Sequence, residues 1–132
     1  MSGARLALPT AAGLATPRGH YSHVAAGGGL AFVSGQLPLD AAGEPRADLP
    51  LDEQAALALG NVEAALAAAG CGWRDVMKVT VYLGGVQHWP AFDQAYRRAL
   101  GDARPARSVV PVPALHHGVL VEVEAVALRP AP

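Results

Sequence analysis

The sequence predicts an α+β fold in which two helices pack on one face of a mixed β-sheet. Short β-prone runs and longer amphipathic segments follow one another in the order β-β-α-β-α-β-β. Each strand–helix–strand passage is expected to bring its helix over the same side of the sheet. The length of 132 residues is typical of one domain, so we assign residues 1–132 to a single unit.

The N-terminal part of the chain is predicted to contain a lead-in and a β-hairpin. Residues 1–18 are rich in Ala, Gly, Pro and Thr without a clear period, which indicates a loosely held segment. Two β-prone runs, residues 19–25 and 30–36, flank the triple glycine at residues 27–29. Such runs around a flexible turn are typical of a hairpin.

A loop and the first helix are predicted next. Residues 37–50 contain three prolines and a glycine, which favours a loop. Residues 52–69 are predicted to form a helix that Gly70 ends. Apolar residues at three- and four-residue steps share one face of that helix: Leu51, Ala55, Leu59, Val62 and Leu66.

The third strand and the second helix follow. Residues 76–83 alternate in polarity, which predicts that Met77 shares a face with the valines of that strand. Residues 90–100 are predicted to form a helix that stops at Gly101. Its apolar side is predicted to contain Phe92, Tyr96 and Ala99.

Two strands, residues 105–110 and 119–127, are predicted to end the chain. The first is followed by Pro111 and Pro113, which predicts an edge position or a terminal bulge. Arg107 belongs to the first strand, and Glu122 and Glu124 share one face of the second. Charged groups on core strands are costly to bury unless they are paired, hydrogen-bonded or used. These strands therefore predict a functional site.

Composition and charge exclude several functional classes. Hydrophobic residues make up 52% of the chain and charged residues 16%, which excludes disorder and favours an oligomer. A net charge of −1 and 5% aromatic residues argue against nucleic-acid binding and nuclease activity. The sequence has neither an apolar run of ~18 residues nor a signal-peptide pattern, and the single cysteine fits a reducing compartment. We expect a cytoplasmic protein without a membrane partner.

The histidines and the cysteine suggest no further site. His20 and His23 lie three apart in a predicted strand, so their side chains are expected on opposite faces. His116 and His117 lie in a loop with no third ligand at useful spacing. We therefore expect no metal site. Cys71 is the single cysteine of the chain and follows a helix-ending glycine, which favours an inert thiol.

Six segments between about residues 19 and 128 form an ordered set. They are Gly19-His20-Tyr21-Ser22, Phe32-Val33-Ser34-Gly35-Gln36, Glu53-Gln54 with Asn61, Val76-Met77-Lys78-Val79-Thr80-Val81-Tyr82-Leu83, Pro105-Ala106-Arg107-Ser108, and Val121-Glu122-Val123-Glu124-Ala125. In their order and spacing they resemble the RidA/YjgF family of reactive-intermediate deaminases.

The resemblance implies a chorismate-mutase-like subunit of the bacillary type, and a homotrimer with a central β-barrel and sites between subunits. It implies hydrolysis of small 2-enamino or 2-imino acids to 2-keto acids and ammonia, without a metal or organic cofactor. Arg107 would anchor the substrate carboxylate through two parallel hydrogen bonds. Glu122 would orient or deprotonate the attacking water. Tyr21, Gly35 and Ser108 would line the cleft.

The chain departs from the family pattern around this implied site. His20 stands where a proline is common, Asp93 where an asparagine is common, and Val109 where many deaminating members have a cysteine. We expect these residues, with Glu124, to lie behind the groups that touch the substrate. They keep two alternatives open: a non-catalytic trimer that binds a keto acid as a sensor or regulator, and a specialised hydrolase or lyase on the same fold.

Overall fold

The computed structural model describes residues 5–131, and these residues form five β-strands and two α-helices. The strands are β1 (Val24–Gly27), β2 (Leu30–Gln36), β3 (Val76–Leu83), β4 (Ala106–Pro111) and β5 (Val121–Leu128). The helices are α1 (Leu51–Ala68) and α2 (Trp89–Leu100). The predicted order of elements is confirmed, and both helices begin one residue earlier than predicted.

The strands form one mixed sheet in the order β1-β2-β5-β3-β4. β3 and β4 run parallel, whereas the other neighbouring pairs are antiparallel. β4 lies at an edge, as its prolines predicted, because proline has no N–H to donate to a further strand.

Both helices pack on the same face of the sheet. The five apolar residues predicted to share one face of α1 are all buried there, and Gly70 follows the helix with a φ of 76°. Alternate residues of β3 and β5 face the helices and form the core with them. The other face is not covered by the described residues and is called the open face. It carries Phe32, Lys78, Thr80, Tyr82, Ser108, Val110, Glu122, Glu124, Val126 and Leu128.

Two polar residues of α1 hold neighbouring loops in place by hydrogen bonds to their backbone groups. The fully buried Gln54 donates from Nε2 to the Leu49 carbonyl at 2.8 Å, and its Oε1 accepts from the Leu120 amide at 2.9 Å. Asn61 Nδ2 donates to the carbonyls of Leu37 and Leu39 at 3.1 and 3.0 Å. These bonds satisfy backbone groups that the loops would otherwise leave unpaired, and they fix the entry to β5 and the exit from β2.

Three details of the sequence prediction are wrong. Residues 19–23 are not in a strand: pairing of β1 with β2 ends at Val24 opposite Val33, because β2 bulges immediately afterwards. Met77 is exposed, because β3 has one extra residue between Val76 and Lys78 opposite β5. Ala99 is exposed as well, since the buried row of α2 continues at four-residue steps from Phe92 and Tyr96 to Leu100 and not to Ala99.

The described part of the lead-in, residues 5–18, makes specific contacts with the sheet. Ala7 and Ala26 exchange two backbone hydrogen bonds of 2.8 and 2.9 Å, which adds one antiparallel bridge at the outer edge of β1. Ala11 is buried. Residues 1–4 of the predicted lead-in lie outside the described residues. Within residues 5–131, neither helix has the length and apolarity that crossing a bilayer requires.

Candidate functional site

Arg107 lies on the helix-covered face of β4, in register with the buried Val79. Its Nη1 donates to Asp93 Oδ1 of α2 at 2.9 Å, and its Cζ lies 4.7 Å from the centre of the Tyr96 ring. The carboxylate and the aromatic face together restrain the guanidinium plane. Among the described residues Asp93 is its hydrogen-bond acceptor, so most of its N–H donors stay available to a ligand.

Asp93 is shared between two arginines. Its Oδ2 accepts from Arg97 Nε at 3.2 Å, while its Oδ1 accepts from Arg107. The hydrogen bond from Arg107 and the two positive charges hold the pKa of the Asp93 carboxyl below its ordinary value. Asp93 is therefore a carboxylate at neutral pH, and it cancels part of the positive charge beside Arg107.

Glu122 lies on the open face, in the middle of the sheet. Burial raises the pKa of its carboxyl above the ordinary value, and the Glu124 carboxylate on the same strand face raises it further. His116, in the connection before β5, acts in the opposite direction. A carboxylate that ionises closer to neutral pH is a better base than an exposed one.

Gly35 leaves the space that the Glu122 side chain occupies. β2 has one extra residue between Val33 and Gln36 opposite β5, and this bulge brings Gly35 against Glu122. A Cβ at Gly35 would overlap Glu122 Oε2 and would lie 3.0 Å from the carboxyl carbon. The absence of a side chain at position 35 thus sets the position of the carboxylate.

Arg107 and Glu122 face opposite sides of the same sheet. Arg107 shares its face with Val79, whereas Glu122 pairs with Tyr82 on the open face. β3 also lies between their two strands, which separates the backbones of β4 and β5 by about 10 Å. A small ligand cannot contact both side chains within one subunit. The two groups therefore belong to separate surfaces of the subunit.

Tyr21 borders a cavity of about 220 Å³ at the end of β2. Tyr21 is 49% exposed, and its ring meets the His23 ring edge to face, with 6.1 Å between centroids. Gln36, His116 and His117 also line this cavity. His116 therefore borders the cavity beside Tyr21 and also lies close enough to Glu122, on the open face, to lower the pKa of that carboxyl.

The other predicted residues are divided between the two faces. Ser108 lies on the open face, in register with Thr80 and Glu124, so it points away from Arg107. Val109 shares the face of Arg107 and packs against the core. Glu124 accepts a 2.8 Å hydrogen bond from the Tyr82 hydroxyl, and this bond is the main reason that the pKa of Tyr82 is raised. His20 is exposed beside Tyr21, in the bend before β1.

Two residues of the site were not identified from the sequence. The apolar pattern of α2 predicts Tyr96 only for the core, yet its ring stacks on Arg107. Its position three residues after Asp93, on one helix face, is the sequence signal for this contact. The sequence predicts only a loop at His116, and its position six residues before Glu122 gives no comparable signal. Its proximity to Glu122 depends on how the connection folds back.

Comparison with known proteins identifies relatives along most of the chain. Residues 13–129 match the family model described as Endoribonuclease L-PSP. A RutC family protein of Pyrococcus horikoshii is 35% identical over 86% of this chain and 90% of its own length. The 2-iminobutanoate/2-iminopropanoate deaminase of Capra hircus is 34% identical over 84% of this chain and 81% of its own length.

Solved structures agree with the fold. Escherichia coli TdcF with bound serine superposes with a TM-score of 0.87 at 29% identity, covering 94% of this chain and 99% of TdcF. Yeast Mmf1 superposes with a TM-score of 0.88 at 28% identity, covering 96% of this chain and all of Mmf1 (100%). The match over residues 13–129 and relatives above 30% identity show that this chain is a member of the RidA/YjgF family.

Proposed function

We propose that this protein hydrolyses small 2-enamino and 2-imino acids to 2-keto acids and ammonia, in a homotrimer whose sites lie between subunits. Each site would combine Arg107 of one subunit with Glu122 of its neighbour. The main support is Glu122: a carboxylate with a raised pKa, held in place by Gly35 on a face that the subunit leaves open. Deaminases among the relatives give independent support.

Arg107 suits the role of carboxylate anchor. Its plane is already restrained by Asp93 and Tyr96, so little further conformational entropy is lost when a ligand binds. The free N–H groups of a guanidinium match the two oxygens of a carboxylate in parallel. A 2-imino acid held in this way would present its imine carbon at a fixed distance and angle.

Glu122 suits the role of the base. Water adds to the imine carbon while Glu122 takes one of its protons, and Glu122 passes that proton to the imine nitrogen as the carbinolamine forms. Collapse of that intermediate returns a carbonyl and expels ammonia, so one water is consumed for each ammonia released. The imine carbon is electrophilic before it binds, and orienting the water beside it supplies much of the remaining acceleration.

The open face suits contact with other copies of the chain. It carries Phe32 and Leu128, which are 51% and 56% exposed, and Val110 is exposed on the same face at the edge strand β4. Exposed large apolar side chains on a sheet face are characteristic of a surface that a partner covers. The same face carries Glu122, so assembly through it would bring a second subunit close to the base. A chorismate-mutase-like trimer around a central β-barrel is the arrangement that we propose.

Imine hydrolysis is the direct test. An amino-acid oxidase generates 2-imino acids with varied side chains while a nucleophilic scavenger competes for the imine. The wild-type protein is expected to increase keto acid and decrease trapped imine, whereas Arg107→Ala is expected to do neither. Equal rates for the two proteins would overturn the assignment. Binding of 2-oxobutanoate without any turnover would instead favour a sensor or regulator.

Mixing two inactive variants tests the arrangement between subunits. Arg107→Ala and Glu122→Gln chains would be unfolded together, refolded and assayed beside each variant refolded alone. If neighbouring subunits share each site, random mixing restores an intact site in about one quarter of positions. If one subunit supplied both residues, every site would lack one of them and the mixture would stay inactive. Mass determination of the refolded oligomer provides the control.

A further inference from the structure

Asp93 occupies an unusual position for a carboxylate, next to the group that is proposed to bind the substrate carboxylate. Its Oδ1 accepts a 2.9 Å hydrogen bond from one terminal nitrogen of Arg107, and the rest of the guanidinium stays available. Both side chains remain partly accessible, at 30% for Asp93 and 25% for Arg107. The pair lies beside a cleft of about 640 Å³ that Tyr96 and Arg104 also line. A ligand that reaches Arg107 therefore comes close to a fixed negative charge.

We propose that Asp93 is a positioning and specificity-determining residue, which orients Arg107 for a carboxylate and limits how tightly that carboxylate binds. This inference rests on the proposed function. Orientation comes from the hydrogen bond, which only an acceptor at this position can make. Limitation comes from charge, because Asp93 and the ligand compete for the same cation. The two effects act in opposite directions on affinity.

The surroundings give Asp93 more influence than an ordinary surface ion pair has. Tyr96 fixes the guanidinium from its aromatic face, and its ring is buried, so Arg107 cannot turn away from Asp93 without losing this contact. Arg97 holds the second oxygen of Asp93 at 3.2 Å, but its own side chain is 81% exposed and well solvated. Water screens the charge of Arg97 much more than that of Arg107.

Two substitutions separate orientation from charge. Asp93→Asn keeps an oxygen acceptor for Arg107 and removes the negative charge. We expect KM for a 2-imino acid, and Kd for 2-oxobutanoate measured by calorimetry, to fall about three- to tenfold at low ionic strength, with kcat nearly unchanged. Asp93→Ala removes both acceptor and charge. Because the guanidinium is then less well held, KM is expected to exceed that of the Asn variant severalfold.

Asp102→Asn is the matched control, because it changes the net charge equally and Asp102 is exposed near the end of α2. Its KM is expected to equal that of the wild type. Raising the salt concentration should reduce the gain of the Asp93→Asn variant, as it would for any charge effect. Thermal unfolding of each variant verifies that the fold is retained.

The outcomes distinguish this inference from the proposed function. Wild-type turnover with an unchanged or raised KM in Asp93→Asn would overturn the charge effect. Equal KM values for Asp93→Asn and Asp93→Ala would overturn the orienting role. If the wild type neither hydrolyses an imine nor binds 2-oxobutanoate, while folded and oligomeric, the proposed function fails and this inference fails with it.

Discussion

The charged residues on the two faces of the sheet have opposite kinds of surroundings. On the helix-covered face, Arg107 is paired with Asp93 and stacked on Tyr96, all within one subunit. On the open face, Glu122 is partly buried beside a second carboxylate, and the pKa of Glu122 is raised as a result. The cation is stabilised by its surroundings and the carboxylate is not. A group held by partners suits binding, whereas a group whose ionisation is costly suits proton transfer.

This contrast shows how one sheet can present two charged groups on separate surfaces. A sheet covered on one face can present a positioned cation there and a base on the other. If one small substrate uses both groups, as we propose, neither surface is sufficient alone, because the sheet itself lies between them. Assembly with another copy is the simplest way to bring the two functions together. The following predictions test whether the two faces have these separate roles in binding and proton transfer.

Among the substitutions that follow, the largest effect is expected for Glu122→Gln. If Glu122 is the base, kcat for imine hydrolysis falls by about 10²- to 10⁴-fold, while KM does not rise. The amide keeps the shape of the side chain, so lost packing cannot account for the change. Steady-state kinetics at several substrate concentrations provide the measurement. A KM that rises with little change in kcat would assign Glu122 to binding and remove the contrast between the two faces.

A comparable loss is expected for Gly35→Ala. The added Cβ overlaps Glu122 Oε2, but the carboxylate lies at the end of a flexible side chain and can move away. The fold should therefore survive while the base is displaced, which costs about 10²-fold in kcat. Gly28→Ala in the β-hairpin turn, at a φ of 60°, is the comparison that strains the backbone without reaching Glu122. Full activity in Gly35→Ala would show that the position of the carboxylate is not limiting.

A smaller and different effect is expected for Arg107→Lys. Lysine keeps the positive charge but loses the planar fork and the stacking on Tyr96. KM should therefore rise about tenfold and kcat should change much less. Calorimetric binding of 2-oxobutanoate should weaken by a similar factor. A large fall in kcat at unchanged KM would mean that Arg107 acts on the transition state more than on substrate binding.

The smallest effect is a displacement of the pH profile. Glu122 must be ionised to act as a base, and its pKa is raised, so activity is lost on acidification at a higher pH than an exposed glutamate would give. Glu124→Gln removes the neighbouring charge and is expected to move this acid limb to lower pH. His116→Asn removes a positive charge and is expected to move it to higher pH. Shifts in the same direction would contradict the electrostatic picture of the open face.

Local patterns were enough to predict the framework of this protein. The spacing of apolar residues from Leu51 to Leu66 predicts the buried face of α1, and Gly70 predicts its end. The prolines after Arg107 predict the edge strand. These signals succeed because helix periodicity, proline chemistry and glycine conformations are properties of the chain itself. The ordered motifs likewise identified the family, which the match over residues 13–129 confirms.

The arrangement of the site required the tertiary structure. The sequence predicts that Arg107 and Glu122 lie on consecutive strands, and only the sheet topology and register show that β3 separates these strands and that the two side chains face opposite sides. The bulge that brings Gly35 to Glu122 depends on the register between β2 and β5. The contacts of Arg107 with Asp93 and Tyr96 depend on how α2 packs. Strand order, register and helix packing arise from contacts between residues far apart in the chain, and local sequence patterns do not encode them individually.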